Sequence, residues 1–76
     1  MQMPHELVQE FPGMAERIHE LRENDAHFRK LADRYHDLNK AVYRAQERLD
    51  VVTEDEEHKL RHERLKLKDE IARLLG

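Results

Sequence analysis

The chain has 76 residues, enough for one small domain spanning residues 1–76. Its 14 Lys+Arg and 17 Asp+Glu interleave to a net charge of −3, which gives no long-range field for nucleic acid or anionic lipid. Cysteine and serine are absent and Thr53 is the only aliphatic hydroxyl, so disulfides and serine- or cysteine-type nucleophilic catalysis are excluded.

No apolar run approaches the roughly 18–20 residues that cross a bilayer, and the N-terminus lacks a basic region followed by an apolar stretch. The chain therefore reads as a cytoplasmic, membrane-free, non-enzymatic protein, with no cofactor expected.

Residues 1–12 form a weakly patterned lead, with at most one helical turn over His5 to Glu10. Phe11-Pro12-Gly13 breaks it, because proline lacks an amide donor and glycine favours non-helical angles. A short helix is predicted over residues 13–23, with Met14, Ile18 and Leu21 at helical spacing. At about ten residues it is too short to persist without docking on something. Its stripe is offset from the one that follows, which implies a change of packing direction near Asn24-Asp25, both good N-cap residues.

A long helix is predicted over residues 25–50. Its apolar residues Phe28, Leu31, Tyr35, Leu38, Val42, Ala45, Leu49 and Val52 step by three and four in strict alternation. That repeat lays one narrow seam along a helix, the pattern of a coiled coil. The chain is expected to turn near Asp50 to Thr53. Thr53-Glu54-Asp55-Glu56 then matches a capping box, and Glu54 to Glu57 put four acids where the helix dipole favours them.

The last helix is predicted over residues 54–75, with Leu60, Arg64, Leu67, Ile71 and Leu74 as a second seam that holds one arginine. That arginine is expected to snorkel, or to pair with a carboxylate on the long helix. Glu57/Arg61 and Asp69/Arg73 are spaced as i,i+4 ion pairs.

The expected fold is thus all-α: an antiparallel, coiled-coil-like helical hairpin with a short N-terminal helix. A lone hairpin leaves half of each seam wet. A second copy is therefore expected to complete a four-helix bundle, as a homodimer or higher even oligomer. The alternative is that the first helix folds back over the open face. The assembly seam is assigned to Phe28, Leu31, Tyr35, Leu38, Val42, Leu49, Leu60, Leu67, Ile71 and Leu74. Arg64, Lys66, Lys68, Asp69 and Glu70 form a candidate face for another cytoplasmic protein.

Phe11-Pro12, Phe28, Leu31, Leu38 and the run from Leu65 to Ile71 also carry a resemblance. Together they are similar to the YdcH-like family of small bacterial proteins. That family is marked by a KLxLKDE segment in the last helix and by an asparagine-rich step, often ending in proline, ahead of a phenylalanine. The first reads Arg64-Leu65-Lys66-Leu67-Lys68-Asp69-Glu70, with arginine in place of lysine. The second reads Glu23-Asn24-Asp25-Ala26-His27-Phe28, with alanine in place of proline. Without the proline the break between the first two helices is weaker, leaving them free to run on as one. The resemblance covers roughly residues 11–75. It implies a self-associating helical hairpin, carries over no catalytic residue and brings no assigned biochemical role.

Three other readings are weighed, of which a nucleic-acid-associated accessory protein and weak histidine-mediated metal binding are the alternatives in function. His58 and His62 stand at the i,i+4 spacing that chelates a metal, but Lys59 follows His58, so there is no HExxH motif, and no third ligand is evident. The bland reading is a pair of solvated histidines. The pairs His36/Asp37 and His27/Asp25 read as solvated in the same way, since acid–base work needs an enclosed pocket. Arg44, Arg48, Lys59, Arg61, Arg64, Lys66 and Lys68 suggest a nucleic-acid stripe, but they alternate with Glu47, Glu56, Glu57, Glu63, Asp69 and Glu70. Phosphate binding favours cations without such neighbours.

Overall fold

The computed structural model describes residues 3–76, and all regular structure among them is helical. The elements are α1 (Leu7–Glu10), α2 (Ala15–Asn24), α3 (Ala26–Gln46) and α4 (Glu54–Leu75). α3 packs on α4, α2 packs on α3, and α1 packs on α2.

Each helix boundary has a local cause. Glu6 opens α1 with a capping box completed by Gln9. Gly13, at φ +81°, turns the chain into α2 through a left-handed conformation that glycine adopts without Cβ strain. Asp25 alone is non-helical between α2 and α3; it is extended (φ −127°, ψ 105°), and its carboxylate accepts from the Phe28 amide at 3.1 Å. The missing proline at Ala26 therefore does not fuse the helices. The Asp25 cap and a guanidinium that crosses the bend keep them apart. The Arg29 Nε donates to the Arg22 carbonyl at 2.9 Å, and Arg22 pairs with Asp33 at 2.7 Å.

α3 stops at Gln46, four residues short of the expected Asp50. The stop is a Schellman turn: the Arg48 amide donates to the Ala45 carbonyl and the Leu49 amide to the Arg44 carbonyl. Arg48 holds the left-handed position (φ 58°) that glycine usually takes there. The Arg44 guanidinium spans the turn to both oxygens of Asp50 at 3.0 Å. The Thr53 hydroxyl accepts from the Glu56 amide at 3.1 Å and opens α4, with Glu56 reaching back to the Thr53 amide.

The core draws on all four helices. Phe28, Tyr35 and Ile71 are buried almost completely, joined by Leu31, Ala32, Leu67 and Leu75 and by Leu7 and Ile18 from the N-terminal segment. Phe11, Met14, Leu21, Leu38 and Leu74 pack around them in part. Val42 and Ala45 are buried outside this cluster.

Two seam residues stand outside the buried core of the single chain. Leu49 lies beyond the end of α3 and is 58% exposed, because the Schellman turn carries it off the helix face. The core line of α3 also runs through Asn39 (1% exposed), while Leu38 is only half-buried. The sequence Phe28, Ala32, Tyr35, Asn39, Val42 keeps the three-four spacing, but with an amide at its centre. The Glu57/Arg61 and Asp69/Arg73 spacings do not close into ion pairs among the described residues, where Arg61 and Arg73 point to solvent.

Candidate functional site

Asn39 is the one fully buried polar side chain in the described core, and burying an amide is costly unless its hydrogen bonds are met. They are met from two directions. Its Nδ2 donates to the Pro4 carbonyl at 2.9 Å, with Glu6 Oε1 at 3.5 Å, and its Oδ1 accepts from Arg64 Nη1 at 3.0 Å. One turn earlier on α3, the Tyr35 hydroxyl donates to the next carbonyl, that of His5. Two buried donors on α3 thus grip consecutive carbonyls of the N-terminal segment. No buried side-chain nitrogen or oxygen among the described residues lacks a partner.

Ion pairs flank the grip. Lys68 Nζ on α4 lies 3.6 Å from Glu10, and His5 Nδ1 lies 2.6 Å from the same carboxylate. His36 Nδ1 lies 3.6 Å from Glu6. The hydrogen bond with His5 and the charge of Lys68 hold the Glu10 carboxyl below its usual range. Burial, reinforced by the negative charge of Glu10, pushes the Tyr35 hydroxyl up to about 12. Tyr35 is a neutral donor at physiological pH, and the shift keeps it protonated further into the alkaline range.

His5 sits at φ 65°, a left-handed conformation uncommon for non-glycine residues. There its carbonyl meets Tyr35.

The face proposed from Arg64, Lys66, Lys68, Asp69 and Glu70 does not stay together. Arg64 and Lys68 turn toward the N-terminal segment and are occupied by Asn39 and Glu10. Lys66, Asp69 and Glu70 line a separate open groove between α3 and α4, together with Arg34, Leu38 and Arg73, to which residues 3–24 contribute nothing. Arg64 pairs with an amide, not with the carboxylate expected on the long helix, because Asn39 is the polar group that faces it.

Of the seam residues, Phe28, Leu31, Tyr35, Leu67 and Ile71 meet in the core and Val42 is buried next to it. Leu60 is half-buried. Among the described residues no three His, Asp or Glu side chains form a metal-ligand group. No described helix is long and apolar enough to cross a membrane.

The residues that sequence reasoning missed are Pro4, His5, Glu6 and Glu10. The available signal was Asn39, a polar residue at a core step of an otherwise apolar line.

The molecule these features define is a small all-α protein whose N-terminal segment is clasped to a helix pair by a buried amide. Residues 28–75 match the model of a family described as "Protein of unknown function (DUF465)". The chain belongs to that family, which is the YdcH-like family. The match covers α3 from Phe28 onward and α4, so the clasped segment lies outside it. No curated protein and no solved structure matches the chain significantly.

Proposed function

We propose that the protein is a non-enzymatic helical interaction module of the cytoplasm. In this reading α3 and α4 form an antiparallel hairpin, which pairs with a second copy. The antiparallel arrangement draws support from the link between Gln46 and Glu54. Its eight Cα–Cα steps reach at most about 29 Å, and the turn at Arg48 and Leu49 folds the first of them back on α3. A parallel return along α3 has to span about 30 Å. The meeting of Asn39 with Arg64 fits the same direction.

The observation that carries the pairing is the open groove beside Leu38. It presents Arg34, Lys66 and Arg73 against Glu63, Asp69 and Glu70 around the half-buried Leu38. A surface with both signs in equal number allows a two-fold contact to set each charge against its opposite on the second copy. Two copies joined there align four long helices. The open, solvated form of the groove favours contact over chemistry.

Sedimentation analysis tests this. The wild type is expected to form dimers that Arg34→Glu or Lys66→Glu weakens, since each puts like charges together without touching the core. A wild-type chain that stays monomeric at millimolar concentration contradicts the pairing.

A further inference from the structure

The grip on residues 4–10 is made by groups that do not depend on which chain supplies the segment. Asn39 and Tyr35 donate to backbone carbonyls, Lys68 meets one carboxylate, and Leu7 and Ile18 lie beside Ala32 and Tyr35 in the core cluster. The same segment from a second molecule offers the same contacts.

What keeps the segment on its own chain is a single bend. Asp25 is the only residue between α2 and α3 outside a helix. The Arg29 amide already donates to the Asp25 carbonyl at 3.0 Å and the Asp25 amide to the Leu21 carbonyl at 2.8 Å. Rotating Asp25 into the helical region lets the amides of Ala26, His27 and Phe28 reach the carbonyls of Arg22, Glu23 and Asn24, in place of the Asp25 cap on Phe28 and the Arg29 bond to Arg22. Ala15 to Gln46 then becomes one rod of roughly 48 Å. In that rod the segment points away from its own Asn39.

We infer that the α3–α4 face holding residues 4–24 is an exchange site. When the bend at Asp25 straightens, the site takes the same segment from a second copy, and each copy completes the other's Asn39 cluster. Exchange of an identical element between protomers is a low-cost route to a dimer, because the contacts are conserved and only the hinge changes. This contact stands apart from the Leu38 groove, and either forms without the other.

Two substitutions push the hinge in opposite directions. Asp25→Ala removes the cap on the Phe28 amide and places a strong helix former at the bend. Loss of such a cap weakens the bent form by about five-fold, or about twenty-five-fold in a dimer with two straightened hinges. Ala26→Pro acts the other way. Proline fits the first helical position of α3 and tolerates the extended Asp25 before it. In the continuous rod its ring clashes with the Arg22 carbonyl, disfavouring exchange by more than about a hundred-fold per hinge.

The test is isotope-filtered NMR on the 76-residue chain, refolded from a mixture of ¹³C-labelled and unlabelled chains at millimolar concentration. Cross-chain signals between Leu7 or Ile18 of one copy and Tyr35 or Ile71 of the other are expected for Asp25→Ala. They are weaker in the wild type and lost in Ala26→Pro, while Lys66→Glu leaves them in place. Their absence from both the wild type and Asp25→Ala overturns the inference, as does their persistence in Ala26→Pro. A dimer with cross-chain signals only at Leu38 overturns it too, and leaves the groove pairing standing.

Discussion

The two ends of the α3–α4 pair are built from similar apolar steps and have different fates. Near Phe28, Tyr35, Leu67 and Ile71 the seam is dry, because residues 4–24 lie across it. Toward the turn, Leu49 and Val51 are exposed and Val52 and Leu60 are only half-buried. The helix pair encloses only Val42 and Ala45 outside the cluster that the N-terminal segment joins; most of the remaining burial follows that segment. Stability is therefore expected to concentrate at the covered end and to fade toward residues 47–60.

The largest test of that contrast compares cavities at the two ends. Ile71→Ala or Phe28→Ala is expected to cost about 2–5 kcal/mol in urea unfolding. Leu49→Ala stays within about 0.5 kcal/mol. Equal losses at both sites contradict the contrast.

Asn39→Ala follows, at about 1–3 kcal/mol, because Arg64 and the Pro4 carbonyl lose their shared partner. It also separates the regions: residues 4–24 lose amide protection while α3 and α4 keep their helical circular dichroism.

pH sharpens the same boundary. The Glu10 carboxyl titrates lower in the folded chain than in the unfolded one. Its contribution is complete above the unfolded value of 4.5 and is lost as pH falls through the folded one. Glu10→Gln is expected to flatten the acid limb of the stability curve. The Tyr35 hydroxyl is shifted upward, from 10.0 to about 12, so its contribution is complete below 10 and is lost as pH rises toward 12. Tyr35→Phe removes that alkaline limb.

At the turn the effects are smaller. Thr53→Ala costs about 1 kcal/mol through the lost cap. Arg48→Gly gains up to about 1 kcal/mol, since glycine relieves the left-handed strain of the Schellman position.

Local signals were legible without the structure. The Asp25 cap, the Thr53–Glu56 capping box and the Phe11-Pro12-Gly13 break all rest on side chains or backbone preferences that act within a few residues. The apolar repeat located the helices and most of the core.

What could not be read was the partner of the seam. A pattern of apolar steps selects Leu38 over Asn39, because an amide belongs in a core only when its hydrogen bonds are met. Those bonds come from Pro4 and Arg64, 35 and 25 residues away in sequence. The end of α3 was hidden for a related reason. Arg48 in a glycine's conformation gives no compositional sign of a helix stop.

Native-state hydrogen exchange of the full chain tests the central claim most directly. Slow amides are predicted along residues 28–42 and 67–75, with measurable protection over 7–10 and 15–24, and fast exchange over 47–60. Uniform protection along both long helices, with residues 4–24 exchanging like free chain, contradicts the account.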